Sequence, residues 1–321
     1  MDAKEDCQMR RLLHIILLSL CLPAYSATRS VQRPRPIHHE HIFEVGLHGG
    51  VAGWHTDLQY IAASTGLNAG GHIYYDYLTD YVIGFRTGVT LDYHAAGLSK
   101  SGYEDSYSTL DVDNQRMEID YTIHSLSERY TTWRAAIPVQ LAWRYEQFVL
   151  YTGAKAVFPL SCQRRQRVDN AALSVYYPMY DNRIEDSYPL AASKDFSMTD
   201  AGTISQTAVQ WWLSLELSYT IPLQLLSRKS RANIMVGLYF NYCLTRQSPT
   251  HSDAKSMIML SDTRDGFPLQ RLLTPVINSN RQGLPLVNTY NPYDVGITIS
   301  YAISSYKPTQ RKYVRRCTCA R

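Results

Sequence analysis

The sequence is short of most features that declare a chemistry. Past the amino terminus no uninterrupted apolar run approaches the roughly 18 residues a spanning helix needs, which excludes a helical membrane protein. The net charge of +4 on 321 residues is modest and unconcentrated, so nucleic acid is not an expected partner. No G-x-S-x-G elbow occurs. His38, His39 and His41 stand close together but lack a second ligand set, so they read as solvated linker and no metal or cofactor site is expected. Phenylalanine is scarce, 7 residues against 25 tyrosines, and the mean hydropathy is −0.27. A surplus of tyrosine in a polar-on-average chain directs attention to strands that expose only every second residue to lipid.

The amino terminus reads as an address. Arg10 and Arg11 precede "LLHIILLSLCLPA", and Ala24-Tyr25-Ser26 is a small-x-small cleavage site, so residues 1–26 are read as a secretory signal peptide. Met9 would give a tighter positive start, and Leu20 argues against a lipoprotein built on Cys21. Residues 27–41 read as a Pro- and Arg-bearing periplasmic linker, 42–303 as the folded domain and 304–321 as a basic periplasmic tail.

Within the domain, "YVIGFRTGVTLDY" alternates almost without a break. Tyr81, Ile83, Phe85, Val89, Leu91 and Tyr93 share one face; Gly84, Arg86, Thr90 and Asp92 share the other. Twelve steps of roughly 3.3 Å, tilted by about 40°, rise about 30 Å, the depth of a bilayer's hydrocarbon core. Tyrosine at both ends suits the two interfaces, where the ring is in lipid and the hydroxyl is wet. Seven further segments repeat the pattern: "IFEVGLHGGV", "LNAGGHIYYDYL", "TWRAAIPVQLAWRY", "FVLYTGAKAVF", "VQWWLSLELSYT", "NIMVGLYFNYCL" and "YDVGITISYAI". Short joins alternate with long polar ones (52–66, 94–130, 160–206, 245–290). This predicts an all-β fold: a single eight-stranded antiparallel up-and-down transmembrane β-barrel with short periplasmic turns and four long extracellular loops. A soluble lipocalin-like barrel would need neither aromatic caps nor bands this long. The expected aromatic girdle is Tyr77, Tyr81, Tyr93, Trp133, Trp143, Tyr219, Tyr242, Tyr293 and Tyr301.

Two segments carry a resemblance. "AAIPVQLAWRYEQFVLYTGAKAVFPL", with Pro138 inside a strand, resembles the central hairpin of the outer-membrane β-barrel family typical of Bacteroidetes (porin-like); "NPYDVGITISYAI" resembles its closing strand, and "VGLHGG" fits its first. The resemblance implies a single-chain barrel with a periplasmic amino terminus and supplies no catalytic motif. The tail ending "CTCAR" departs from barrels that stop at an aromatic residue.

Eight strands leave a lumen only wide enough for side chains. The inward positions Glu44, Asp76, Asp92, Glu216 and Asp294 beside Arg86, Arg134, Arg144 and Lys155 therefore predict an ion-pair network rather than a pore. Cys162 and Cys243, both near the outer rim, are candidates for a disulfide across strand six. Cys317 and Cys319 read as a neutral tail. His124-Ser125, His94 and His55 are the residues an outer-leaflet lipid-modifying enzyme would have to recruit, but no spacing demands catalysis and the chain is not expected to be an enzyme. The expected role is structural or surface interaction, with a monomeric barrel in outer-membrane lipid and long loops meeting a protein or glycan. An acyl-transfer or ester-hydrolysing enzyme and a narrow solute channel are the alternatives. "MEIDYTIH" alternates strongly enough to extend its hairpin above the membrane.

Overall fold

The computed structural model describes residues 39–56, 61–79, 82–111, 113–185, 193–204, 208–223, 232–246, 256–260, 271–281, 284–287 and 289–305. The signal peptide, most of the linker, the basic tail with Cys317 and Cys319, and Tyr81 lie outside them. Eight long strands form the frame: β1 (His39–Thr56), β2 (Gly66–Thr79), β3 (Ile83–Leu110), β4 (Arg116–Tyr145), β5 (Phe148–Tyr177), β6 (Gln210–Pro222), β7 (Ala232–Cys243) and β8 (Tyr290–Ser304). Each strand pairs with the next in chain order, β5 with β6 included (Phe148↔Tyr219 to Val157↔Gln210); all pairs are antiparallel, and β8 closes on β1 through Ile42↔Ser304 to Thr56↔Tyr290. Closure leaves the ring no open edge, so its strands satisfy their backbone groups on one another.

At one end the connections are tight. The Val82 amide donates to the Thr79 carbonyl at 3.1 Å, and Glu146 takes φ 54° between β4 and β5. Pro138 sits inside β4 without breaking register. Its pairing with β3 lapses between Thr87↔Val139 and Thr90↔Ala136, where the missing amide removes a donor, and the ladder then resumes in step. The facing Gly88 is needed for close approach, since a Cβ there would meet the Ile73 carbonyl at 2.1 Å.

Around the ring the outward side chains are apolar and bare: Leu47 is 71 % exposed, Val139 65 % and Leu238 63 %, and all eight strands contribute. No water-soluble sheet leaves such a continuous band uncovered; lipid solvates it. The girdle residues Tyr77, Tyr93, Trp133, Trp143, Tyr219, Tyr242, Tyr293 and Tyr301 all lie on this outward face, half-buried or exposed.

Two of the joins read as loops are mostly strand. β3 and β4 stay paired up to Leu110↔Arg116, so most of the 94–130 stretch is a paired hairpin. β5 runs on to Tyr177, and Asn182–Ile184 and Ser193–Thr203 pair back onto it. These strands form a lobe above the ring. One extra residue, Leu160, bulges out of β5 where its register with β4 shifts beside Trp133 and Arg134. Higher up, the faces of three strands exchange at one level. The buried positions pass from Leu98, Leu126 and Val168 to Tyr103, Ile123 and Ala171, next to Gly102 at φ 64° and Asn170 at φ 51°. The exchange turns an apolar face toward Met257, Ile258, Val276, Ile277, Leu286 and Val287, and together these side chains form the lobe's core.

Two further readings need correction. β1 starts at His39, inside the segment read as linker. His39 Nδ1 and His41 Nδ1 each lie 2.7 Å from a β2 tyrosine hydroxyl, of Tyr77 and Tyr75 respectively, so these histidines are part of the wall. The proposed Cys162–Cys243 disulfide is absent and both residues are thiols. β6 stands between their strands, and two inter-strand spacings of about 4.8 Å exceed the Cα separation a disulfide spans. The Thr132 hydroxyl donates to Cys162 Sγ at 3.4 Å, and Cys243 donates to the Thr245 carbonyl at 3.3 Å.

Candidate functional site

The lumen holds two charge clusters, one above the other. In the lower, fully buried Arg86 donates to Asp76 through Nε (2.7 Å) and Nη2 (3.1 Å), to Glu216 through Nη1 (3.1 Å), and to Glu44. Its guanidinium carbon stands 3.3 Å from the ring centre of Tyr151 and 4.7 Å from that of Tyr74. The Tyr151 hydroxyl donates to Asp76 at 2.8 Å, and His72 Nε2 lies 3.3 Å from Glu44. Small wall residues make the room. A Cβ on Gly46 would meet His72 Nε2 and Ser300 Oγ at 2.6 Å.

In the upper cluster Arg134 bonds Asp294, stands 3.5 Å from Asp92 and lies over the Trp212 ring at 4.3 Å. His48 reaches Asp92 at 3.0 Å, and Asn241 donates to Asp294 at 2.5 Å. Lys155 is half-buried and adds positive potential at Asp92; it closes no ion pair among the described residues. Arg144 belongs to neither cluster. It pairs at 2.6 Å with Glu40, near the turn end, and Glu40 also accepts from Ser304 at 2.6 Å. Glu40 was not among the expected lumen charges because it fell in the supposed linker.

Above Arg134 the interior narrows to a cavity of about 30 Å³ among Trp54, His94, Tyr130, Gln210, Trp212 and Tyr290, room for about one water molecule. Side chains fill the interior as a plug, with three carboxylates gathered on Arg86 and two on Arg134, and a solute would have to break those ion pairs to pass.

Glu128 sits where plug gives way to lobe. Its Oε1 accepts from the Tyr130 hydroxyl at 2.6 Å and its Oε2 from the Val276 amide at 2.7 Å. Arg164 stays 3.7 Å away, because its guanidinium also serves Asp200 and Gln166. Burial outweighs these partners and pushes the Glu128 carboxyl up to about 7. In the lobe, Asp105 accepts from Ser256 at 2.6 Å and from Tyr121 at 3.1 Å, and burial raises the Tyr103 and Tyr121 phenols. Asp105 lies at the edge of an open cleft of about 680 Å³, with Glu104, Asp120 and Glu185 on its walls and Arg183 and Arg281 opposing them. Glu128 carried no sequence signal, and this cleft none beyond the alternation of "MEIDYTIH".

The histidines an enzyme would recruit do not meet. His94 is buried against Trp212, His55 lies outside beside Tyr242 (3.3 Å), and His124 and Ser125 are exposed on the lobe.

No protein-family model and no curated protein matches the chain. Solved structures do. Ail, the attachment invasion locus protein of Yersinia pestis, solved with the heparin analogue sucrose octasulfate, is 9% identical over 82% of this chain and 99% of its own, with a TM-score of 0.22. Neisserial surface protein A is 10% identical over 84% and 99%, TM-score 0.25. The outer membrane protease OmpT of Escherichia coli is 11% identical over 87% and 99%, TM-score 0.25.

Proposed function

We propose that this chain is a monomeric outer-membrane protein of the Bacteroidetes-type barrel class, with both termini periplasmic. Its ring is an anchor and its extracellular lobe an interaction surface for a protein or glycan. The observation that carries this reading is the pairing of a bare apolar belt with a plugged interior. The belt needs lipid, and the plug leaves transport little to work with. Function then falls to what the frame holds up, and the cleft walled by Glu104, Asp120 and Glu185 is the natural contact surface. Its surplus of carboxylates over Arg183 and Arg281 favours a cationic protein segment or a polyhydroxylated glycan.

The test combines location with binding. The protein should fractionate with outer membranes and migrate faster unboiled than boiled, with trypsin on intact cells cutting only in the lobe. The purified protein should bind selected ligands on a glycan and host-protein array, and Glu104→Lys with Asp120→Lys should abolish that binding while the heat shift persists. Recovery in the soluble periplasm would sink the anchor. Steady ion conductance in planar bilayers, or hydrolysis of outer-leaflet lipid by the purified barrel, would replace the interaction reading with a channel or an enzyme.

A further inference from the structure

Arginines in the described lobe and lumen mostly have acids beside them: Arg86, Arg134, Arg144 and Arg164 inside, Arg116, Arg167 and Arg183 outside. Arg129 and Arg165 differ. They face each other directly across the β4–β5 ladder, both exposed on the outward face, and among the described residues neither closes an ion pair. Like charges in directly opposed positions are destabilising unless something neutralises them.

Their height suggests what does. Arg129 lies four residues beyond Trp133 on the same face, and Trp133 packs edge-on against Tyr93 in the girdle. Four residues are about 13 Å of strand, or about 10 Å along the membrane normal at a tilt near 40°. Aromatic girdles mark the edge of the hydrocarbon, and headgroups occupy about the next 5–8 Å. Long arginine side chains extend down into that layer. Both line an open hollow of about 720 Å³ with Tyr93, Thr131, Gln163 and Thr203. Below it, exposed Trp133 and the bulged Leu160 face the acyl region.

We propose that this hollow binds a phosphorylated lipid of the outer leaflet. Arg129 and Arg165 would bridge its phosphate, Thr131, Gln163 and Thr203 would meet its polar headgroup, and its chains would lie on Trp133 and Leu160. Paired guanidinium forks match phosphate oxygens bidentately, and the bound anion removes the repulsion between them. The inference rests on the outer-membrane placement proposed above.

The experiment is native mass spectrometry of the full mature chain in detergent micelles, with diphosphorylated lipid A as probe, its dephosphorylated form as control and inorganic phosphate as competitor. The expected result is one lipid A bound, at least about tenfold more weakly without its phosphates and in the Arg129→Gln/Arg165→Gln variant. Arg167→Gln, which removes an outward arginine already paired with Asp169, should bind like wild type. Equal binding by the double variant, or indifference to the lipid's phosphates, would overturn the proposal. Full displacement by equimolar inorganic phosphate would also overturn it, in favour of a free-anion site. The boiled-against-unboiled gel shift keeps two failures apart: a variant that shifts but does not bind supports the site, whereas wild type that never shifts refutes the membrane placement itself.

Discussion

The ring and the lobe are built from the same strands in opposite senses. Within the belt, β4 turns Ile137, Val139 and Leu141 outward and buries Arg134 and Gln140; in the lobe it buries Met117, Ile119, Tyr121 and Ile123 and turns Thr122 and His124 outward. The first arrangement is inside-out and makes sense only in lipid. The second is the ordinary arrangement for water. One strand of thirty residues therefore crosses two solvents, and the crossing point is marked by Trp133, the Leu160 bulge and the buried Glu128. The outer solvent decides what the interior must be. Lipid outside leaves the inward positions free for charge, whereas water outside requires an apolar core.

Removing the centre of the plug should produce the largest effect. Arg86→Met strands Asp76, Glu44 and Glu216 together, and leaving buried partners unpaired costs about 3–5 kcal/mol. The folded, faster-migrating gel band should be lost or should convert at much lower temperature. A variant with an unchanged conversion temperature would show that the plug is incidental to the ring. In the lobe the sensitive chemistry is packing. Ile119→Ala, at a fully buried site, should cost about 2–5 kcal/mol. It should open the lobe to trypsin and leave the ring's gel shift intact. Loss of both together would mean that ring and lobe form one cooperative unit.

A lysine placed on the outer face sharpens the contrast at one strand. Val139 lies about midway between Trp133 and Trp143, and Val139→Lys should cost about 2–4 kcal/mol, the penalty for a cation at the bilayer midplane. Thr122→Lys, also outward on β4 but in the lobe, should fall within about 0.5 kcal/mol of wild type. Reversible unfolding in lipid vesicles would measure both. Equal costs would contradict the assignment of two solvents.

The asymmetry between the halves also explains what could be read in advance. The eight ring segments were legible because the outward residue is apolar at nearly every second position, and Thr79 and Glu146 marked the turns. The lobe was harder. Its outward residues are polar like those of any loop, and its buried face exchanges parity near Gly102 and Asn170, which breaks a period-two reading at the point where it is needed. Its core partners Met257, Ile258, Val276, Ile277, Leu286 and Val287 lie in short isolated segments whose burial is set by contact with strands about eighty or more residues earlier in the chain. Inward charges in the ring can be enumerated from alternation, but not their partners. Arg144 takes Glu40 from a segment that looked like linker, and Arg134 takes Asp294 from β8. The cysteine pairing fails because alternation fixes the height of a residue along its strand but not its lateral distance, and β6 stands between Cys162 and Cys243.

The smallest effect, and the one that tests the boundary itself, is a pH dependence. Glu128 carries a folded-state carboxyl at about 7 against an ordinary 4.5, because burial at the top of the plug disfavours its charge. Below about 4.5 it is neutral both folded and unfolded, and no penalty arises. Between 4.5 and 7 the folded chain keeps a proton that the unfolded chain releases, so lobe stability falls as pH rises; above 7 the loss is complete. The shift sets a ceiling of about 3 kcal/mol, and local relaxation toward the water-filled side of the lobe lowers it. Urea unfolding of the lobe, followed by the near-ultraviolet circular dichroism of its buried tyrosines, should give a higher midpoint at pH 5 than at pH 8. Glu128→Gln keeps an acceptor for the Val276 amide and has nothing to titrate, so its midpoint should lose that slope. A wild-type midpoint flat from pH 5 to pH 8 would mean that Glu128 is solvated, and that the boundary between plug and lobe is wet rather than sealed.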